Sequence, residues 1–566
     1  MSGFNMFLGK YNQKIDSVVG QWEKNQFMDR MLHNDYTLWK ENPKEITNRL
    51  GWLRSPEVML NSLDEINSFV TEIRAAGFKQ ALLLGMGGSS LAPEVYARSF
   101  GVKKGFLDLA ILDSTDPGAV LARERQMDLK KTLFIVATKS GGTVETFSFL
   151  KYFYNRMCAV VGVENAGTHF MAITDGGSGL ESAAKELRFR KIFLNDPDIG
   201  GRYSALSCFG LIPAALVGIN LKIMLSRAGK MMQNSFTGKD SSSLQLGAAM
   251  GVLAEQGIDK LTLIISPRIA SFGAWIEQLV AESTGKEGRG ILPVDGEEWF
   301  SPELYSSDRL FIHIRLEGEE NYDEQVGNLI NSGCPVIQIH LKNPEDLGAE
   351  IYRWEVATAA AGAHLGINPF DQPDVESAKV LARQMVASFQ QTGLLPQLVP
   401  DFIHQDLKIY AGRQVDNFPD LMKNFFASAR TVESGSTTRS YVALQVYLKP
   451  SPEIESALQG LRNRINLKYY LATTLGYGPR FLHSTGQLHK GDAGNGLFLQ
   501  FLAEMPEDLP IPTEAGRTDS AISFGILKNS QALGDRQALL NAGRRVITIN
   551  LGNDILAGIQ TVREVI

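Results

Sequence analysis

The sequence predicts an α/β fold, with two parallel-sheet domains followed by a smaller α/β or α+β domain. Two observations predict it. Short apolar runs such as QALLL and TLFIVAT alternate with amphipathic stretches and end in Gly, Ser, Thr or Asp. A second series repeats this alternation with the runs KLTLIISP, RLFIHIRL and CPVIQIHL. Runs that are apolar throughout are typical of parallel strands with both faces covered by helices.

The chain has 566 residues, enough for three or four domains. A polar stretch dotted with Trp and Met comes first, and we expect its helices to pack on a later domain. The Pro-containing segment LLPQLVPDFIHQD interrupts the second series, after which new runs such as SYVALQVYL and AISFGIL begin. We predict an N-terminal helical segment at 1–55, the two parallel-sheet domains at 56–238 and 239–398, and the C-terminal domain at 399–566.

Composition excludes several classes of protein. A net charge of −6 gives no electrostatic reason to expect nucleic acid. The three cysteines have no metal-site spacing and suit a reducing compartment. The sequence has no signal-peptide pattern, and no stretch reaches the roughly 18 apolar residues that cross a bilayer. We therefore expect a cytoplasmic protein without a membrane partner.

The first informative motif is Gly85-Met86-Gly87-Gly88-Ser89-Ser90, which follows an apolar run and precedes a helix-like stretch. Glycines let a backbone approach a ligand closely, and a helix N-terminus favours an anion. The motif lacks the third glycine of a dinucleotide site and the Gly-Lys-Ser/Thr of a P-loop. By itself, such a turn is equally compatible with a structural role.

The second motif is Thr138-Lys139-Ser140-Gly141-Gly142-Thr143-Val144-Glu145-Thr146, which also lies between an apolar run and a helix. The structural alternative is a helix cap, which needs only one hydroxyl, with Thr143 as the N-cap residue. Four hydroxyls and two glycines favour a phosphate monoester. Loops at the carboxyl ends of neighbouring strands face one crevice, where open α/β sheets bind ligands.

The motifs GMGGSSLAP, ATKSGGTVET, GGRYSALS, AESTGK and INPFDQPDVESAK resemble the sugar-isomerase (SIS) domains of the glucose-6-phosphate isomerase family and occur in that family's order. The resemblance covers roughly residues 56–395. It is closest to the isomerase half of fused transaldolase–isomerase proteins, whose late segment resembles FLHSTGQLHKG. The transaldolase half is not expected here, because nothing before Gly85 is long enough for a barrel of about 250 residues.

The resemblance implies how a phosphosugar substrate is bound. It implies that Ser89, Thr138, Ser140 and Thr143 hold the phosphate, together with Gln372. Glu145 would contact the sugar or support a residue that does; the alternative is a solvated acid in the first turn of a helix.

The resemblance also implies the catalytic groups. Glu282 would be the base that moves a proton between C1 and C2 through a cis-enediol. We interpret the nearby Glu277 as an ordinary acid on the helix surface. Arg202 would stabilise the enediolate, and Lys379 would assist ring opening; without the resemblance they would be a surface ion pair and a helix-surface lysine.

The chain departs from the family in one respect. Many members carry a ring-opening histidine soon after the base, in a segment resembling LHSxGQ, but here that segment occurs about 200 residues later. We hypothesise that the C-terminal domain folds back, or reaches into a partner subunit, to supply His483. His489 is the alternative, whereas His313 lies in an apolar run and is expected to be structural.

The sequence therefore predicts a glucose-6-phosphate isomerase activity of glycolysis and gluconeogenesis, which requires no cofactor and no metal. Two alternatives remain: a non-catalytic SIS-domain regulator that binds phosphosugars, and an isomerase that accepts mannose 6-phosphate as well. A regulator would need the hydroxyl loops but not Glu282, Arg202 or Lys379. The resemblance also implies association into homodimers.

Overall fold

The computed structural model describes residues 3–396, 398–412, 417–430 and 439–566. Three large, mainly parallel sheets are found in these residues, with helices around them. This arrangement confirms the predicted α/β fold class. Among the described residues, no helix is long and apolar enough to cross a membrane.

The N-terminal segment contains a strand that the sequence analysis did not anticipate. Strand β1 pairs antiparallel with the strand at 336–341 and so forms an edge of the second large sheet. A five-residue run gives little local signal, since its partner lies far along the chain. Trp39 anchors the helices that follow by donating from Nε1 to the carbonyl of Ala359 at 2.8 Å. The elements are β1 (Gly3–Phe7), α1 (Asn12–Lys24), α2 (Phe27–Leu32), α3 (Ser55–Asn61) and α4 (Leu63–Ala75).

The first large sheet is fully parallel, with strand order β3-β2-β4-β5-β6. Alternate residues of its central strands join separate cores on the two faces: Leu83 and Ile135 on one, Leu82 and Val136 on the other. The strands are β2 (Gln80–Gly85), β3 (Asp108–Leu112), β4 (Thr132–Ala137), β5 (Phe170–Asp175) and β6 (Lys191–Asn195). The helices are α5 (Leu91–Phe100), α6 (Pro117–Arg125), α7 (Val144–Val161), α8 (Val163–Ala166), α9 (Gly179–Glu186), α10 (Cys208–Val217) and α11 (Leu221–Ser235).

The second large sheet has the order β1-β10-β9-β7-β8 and is parallel except for β1. Its strands are β7 (Lys260–Ile265), β8 (Leu292–Val294), β9 (Arg309–Leu316) and β10 (Val336–Leu341). Its helices are α12 (Ser242–Glu255), α13 (Phe272–Thr284), α14 (Asp323–Asn331), α15 (Leu347–His364) and α16 (Val375–Thr392). One hydrophobic core joins this sheet to the first, so the two form a continuous body.

The third large sheet has the order β11-β12-β18-β15-β13-β14, in which the last four strands are parallel. The predicted run AISFGIL divides into a strand and a helix, because Ser523 accepts from the backbone N–H of Ile526 and caps the helix. The strands are β11 (Phe402–His404), β12 (Leu407–Tyr410), β13 (Tyr441–Val446), β14 (Ala472–Tyr477), β15 (Gly496–Leu502), β16 (Pro510–Pro512), β17 (Ser520–Ser523) and β18 (Arg545–Asn550). The helices are α17 (Phe418–Ala427), α18 (Pro452–Tyr469), α19 (Gly486–Gly491), α20 (Phe524–Asn541) and α21 (Ile555–Val565).

This C-terminal region packs against both preceding sheets. Tyr441 and Phe498 share a small core with Ala281 of α13, at the second sheet. Phe524, at the start of α20, stacks on Phe149 of α7, at the first sheet, with ring centroids 5.8 Å apart. The region thus spans both sheets of the first body, although the three boundaries between the four predicted segments stay a prediction.

Candidate active site

Two loops rich in glycine and hydroxyl groups leave neighbouring strands of the first sheet. Strands β2 and β4 are adjacent and parallel, and Gly85 lies opposite Ala137 at their carboxyl ends. The loop after β2 leads to α5, and the loop after β4 leads to α7. Because carboxyl ends of parallel strands open at the same edge, the two loops face one crevice.

The hydroxyl groups of the second loop are not used to cap α7. Thr143 stands at the N-cap position but makes no capping hydrogen bond with its side chain. Its Oγ1 lies 2.9 Å from Thr138 Oγ1 instead. The first N–H groups of α7 therefore remain without this cap, at the positive end of the helix dipole. This geometry suits an anion better than the alternative of a simple helix cap.

A cavity of about 410 Å³ adjoins this loop. Its volume lies in the range of small-molecule sites, about 300 to 1,000 Å³. Five of the predicted site residues line it: Ser140, Thr143, Glu145, Lys379 and His483. The other two hydroxyl residues predicted to hold a phosphate, Ser89 and Thr138, are buried and are not part of its lining.

Arg202 is buried and held from several sides, so the alternative of a surface ion pair is wrong. Its Nε donates to Ser283 Oγ at 2.8 Å, and its Nη2 donates to the carbonyls of Pro369 at 2.7 Å and Asp371 at 2.9 Å. The loop that carries it touches the loop after β2 so closely that a Cβ on Gly88 would lie 1.9 Å from the carbonyl oxygen of Gly201. These contacts fix the plane of the guanidinium group.

Glu282 faces Arg202 from the last turns of α13. Arg202 Nη1 lies 3.4 Å from Glu282 Oε1, and only 12% of the Glu282 side chain is exposed. Gln278, one turn earlier, donates from Nε2 to Glu282 Oε2 at 3.2 Å. Lys286 lies close to this pair, and burial lowers its pKa to about 8 with a further contribution from the Arg202 charge. A carboxylate and two cations are thus gathered at the end of this helix.

His483 lies in the same chain as the two hydroxyl loops and contacts the second of them. It ends a short 3-10 helix, and its Nε2 lies 3.0 Å from Glu145 Oε1. Burial alone would raise the pKa of Glu145, but the charge and hydrogen bond of His483 hold it below its usual value. Glu145 is therefore a buried, paired carboxylate and not the solvated first-turn acid that was the alternative.

The other two histidines considered from the sequence are part of the protein interior. His489 is buried, and its ring packs against Phe498 with centroids 5.0 Å apart. Burial and the charge of Lys490 hold its pKa well below the usual value. His313 is buried in β9, where burial lowers its pKa to about 4. Of the two LHSTGQLHK histidines, His483 is the one that lines the cavity.

Glu277 is not the ordinary surface acid that the helical pattern predicted. The C-terminal region covers this side of α13, and Ser484 Oγ lies 3.5 Å from Glu277 Oε1. Burial, with the nearby charge of Asp295, raises the pKa of Glu277 to about 8. The helix pattern could not reveal this cover, because it comes from residues some 200 positions later in the chain.

Lys379 and Gln372 take different positions. Lys379, on α16, lines the cavity beside Glu145 and His483, and its charge contributes to the lowered pKa of Glu145. Gln372 instead accepts from Arg202 Nη1 at 3.0 Å. The structure therefore brings Gln372 to the Glu282–Arg202 pair rather than to the hydroxyl loop.

The sequence analysis missed two residues that join these parts. Gln278 Nε2 contacts both Glu282 Oε2 and the carbonyl oxygen of His483, the latter at 2.7 Å. Its position one turn before Glu282 was a usable signal, since residues four apart share a helix face. Arg480 pairs with Glu94 and, at 3.2 Å, with Asp113, which ties the loop before His483 to the first sheet. No local pattern marks that pairing.

Comparison with known proteins agrees with this geometry. The sequence model of the phosphoglucose isomerase family matches residues 55–290. A glucose-6-phosphate isomerase of Cyanothece sp. is 26% identical over 444 residues, covering 67% of this chain and 83% of its own length. Another, from Campylobacter jejuni, is 26% identical over 383 residues, covering 60% of this chain and 92% of its own length.

A solved structure supports the fold assignment. The crystal structure of a glucose-6-phosphate isomerase from Chlamydia trachomatis superposes with a TM-score of 0.58 at 19% identity, covering 67% of this chain and 87% of that one. The matched residues 55–290 include both hydroxyl loops, Arg202 and Glu282. Through this region, the chain is similar to the phosphoglucose isomerase family.

Proposed function

We propose that this protein is a glucose-6-phosphate isomerase whose catalytic groups all come from one chain. The observation that carries the proposal is the contact chain Glu282–Gln278–His483, which joins a carboxylate base to a histidine beside the hydroxyl loop. Aldose–ketose isomerisation needs these two kinds of group: one to open the sugar ring and one to move the C2 proton.

The phosphate of the substrate binds at the start of α7 in this proposal. The hydroxyls of Ser140 and Thr143 and the uncapped N–H groups of the helix offer donors there, and Lys379 adds a positive charge. Ser89, on the first loop, and Thr138, at the start of the second loop, are buried and would support the same anion from behind. Gln372 contacts Arg202 and thereby helps to orient the catalytic end of the site.

Ring opening breaks the bond between C1 and the ring oxygen. One proton leaves the C1 hydroxyl and one is added to the ring oxygen, so the open aldehyde forms with no net change in protons. An imidazole has two ring nitrogens that can donate or accept a proton, which suits His483 to this exchange. Lys379, in the same cavity, stabilises negative charge that develops on the oxygens.

Glu282 then removes the C2 proton, and the electrons of that bond form the C1–C2 double bond of a cis-enediolate. The proton returns to C1, while a proton moves from the C2 oxygen to the C1 oxygen, and the ketose results. Arg202, held in place by Ser283 and two backbone carbonyls, stabilises the negative oxygen of the intermediate.

Other expectations from the sequence stay predictions. These are a cytoplasmic location, association into homodimers, and a closest relationship to the isomerase part of fused transaldolase–isomerase proteins. Acceptance of mannose 6-phosphate is also open to direct assay, since no residue named above discriminates between the C2 epimers.

The test is the conversion of glucose 6-phosphate to fructose 6-phosphate by the purified chain, with and without EDTA. We expect turnover that Glu282→Gln lowers by about 10³-fold, within the usual range for loss of a general base. Glu277→Gln is the matched control on the same helix. Its pKa of about 8 leaves the Glu277 carboxyl protonated at pH 7, so the amide replaces it closely and activity should persist. Equal activity of Glu282→Gln and the wild type would contradict the proposed base.

A further inference from the structure

Helix α20 of the C-terminal region makes a second polar contact with the first sheet, separate from the loop of His483. Two of its side chains are involved. Lys528 Nζ donates to Asp116 Oδ2 at 2.8 Å, and Gln531 Nε2 donates to Glu145 Oε1 at 2.7 Å. Gln531 is buried, and it also lines the cavity that contains His483 and Lys379.

The Glu145 carboxylate fixes the orientation of the Gln531 amide, and a neighbouring hydroxyl supports it. Thr115 is fully buried, and its Oγ1 donates to Gln531 Oε1 at 2.8 Å. With its oxygen engaged by Thr115, the amide presents its NH₂ group to Glu145. The reverse orientation would place the amide oxygen against a carboxylate oxygen, and both atoms can only accept.

The same oxygen of Glu145 therefore receives two hydrogen bonds. Glu145 Oε1 lies 2.7 Å from Gln531 Nε2 and 3.0 Å from His483 Nε2. A carboxylate oxygen accepts, so His483 carries a hydrogen on Nε2. Its other ring nitrogen, Nδ1, is then the one that can exchange a proton with a ligand.

We propose that Gln531 is a positioning residue, which holds Glu145 so that His483 keeps its hydrogen on Nε2 and presents Nδ1 to the substrate. The inference rests on the proposed function and adds a residue from outside the region that matches the family. Gln531 acts through Glu145 and takes no part in the proton transfer at C2.

The main test replaces Gln531 with Met, which keeps the length of the side chain and removes both hydrogen bonds. We expect kcat for glucose 6-phosphate to fall about tenfold, because a buried carboxylate left with fewer partners no longer holds one orientation. KM should stay within about twofold, since the phosphate donors of the second loop are unchanged. A higher KM with unchanged kcat would overturn the proposal and make Gln531 a substrate contact.

Gln500→Met is the matched control. Gln500 is also buried in the C-terminal region; it donates to the carbonyl of Ala532 on α20 at 3.1 Å and accepts from Thr548 Oγ1 at 2.9 Å. Its replacement also removes two hydrogen bonds, one to α20 and one from Thr548 on β18, without touching Glu145. Wild-type kcat is expected, and a loss equal to that of Gln531→Met would overturn the proposal by showing that docking of α20 alone matters.

Thr115→Val gives a second, milder variant, which removes only the hydrogen bond to Gln531 Oε1 and should lower kcat about threefold. A spectroscopic readout separates this inference from the proposed function. In protein labelled with ¹⁵N-histidine, the signals of His483 are assigned by their loss in His483→Gln. We expect a single Nε2–H tautomer in the wild type and a mixture in Gln531→Met. The same tautomer in both would overturn the inference, whereas absence of turnover in the wild type would overturn the proposed function alone.

Discussion

The surroundings of Glu282 and of His483 are held together in different ways. Glu282 and Arg202 lie within the first body, and Gln278, the residue that supports Glu282, is on its own helix. His483 instead reaches the site through contacts between distant parts of the chain: Glu145, Gln278 and, three residues before it, Arg480. The Glu282 side of the site is therefore held by contacts within the first body, and the His483 side by docking of the C-terminal region.

This difference indicates which substitutions should affect catalysis alone and which should affect stability as well. Changes near Glu282 remove a chemical group from a body that remains packed around one core. Changes near His483 alter a buried polar interface as well, so stability and catalysis should change together. The following variants test that contrast, from the largest expected effect to the smallest.

After Glu282→Gln, the largest effect is expected at His483. His483→Gln removes the exchangeable proton while keeping a polar side chain of similar length, and we expect kcat for glucose 6-phosphate to fall about 10²-fold. Steady-state assays with both hexose phosphates measure it.

Mixing two inactive variants shows which chain supplies the histidine. Because His483 contacts Glu145 of its own chain, a mixture of Glu282→Gln and His483→Gln should be no more active than either alone. Recovery of activity on mixing would show that a partner subunit supplies His483, which would contradict a site built from one chain.

An intermediate effect is expected at Arg480, which has no role in the chemistry. Arg480→Met leaves Asp113 without its ion-pair partner and leaves Glu94 with only the exposed Arg98. Removal of one partner from such a pair should lower the free energy of unfolding by about 3 kcal/mol and lower kcat several-fold. Urea denaturation and steady-state assays measure the two effects.

Arg188→Met is the control for that prediction. Its pair with Glu164 is exposed, at 77% and 81% of the two side chains. Such pairs contribute about 0 to 1 kcal/mol, so the urea midpoint should barely change. Equal losses in the two variants would indicate that Arg480 does not anchor the loop of His483.

The smallest effect is a pH dependence at Glu277. Burial raises the pKa of Glu277 in the folded state to about 8, from 4.5 when exposed. Between these values the folded protein holds a proton that the unfolded chain releases, so stability falls as pH rises towards 8, by at most about 1.4 kcal/mol per pH unit. The urea midpoint should therefore decrease less between pH 6 and pH 8 in Glu277→Gln than in the wild type. If the urea midpoint changed equally with pH in both proteins, a group other than Glu277 would be responsible for the pH dependence.

Much of the first body could be predicted because its signals are local. Apolar runs of five or six residues with glycine and hydroxyl loops behind them predict parallel strands and strand-end sites, and β2 and β4 follow that pattern. The short edge strand β1 and the strand-to-helix change at Ser523 were missed, because a distant partner and a capping hydrogen bond decide them.

The sequence by itself determined the α/β class and the two hydroxyl loops, since each depends on residues close together in the chain, whereas the candidate base was implied by the resemblance to a known family. Only the tertiary structure decided that His483 meets Glu145, that Glu277 is covered, and that Gln531 and Arg480 belong to the site's support. Those contacts join residues more than 200 positions apart. They depend on how the C-terminal region docks, and buried hydrogen bonds and ion pairs formed by docking leave no periodic pattern along the chain.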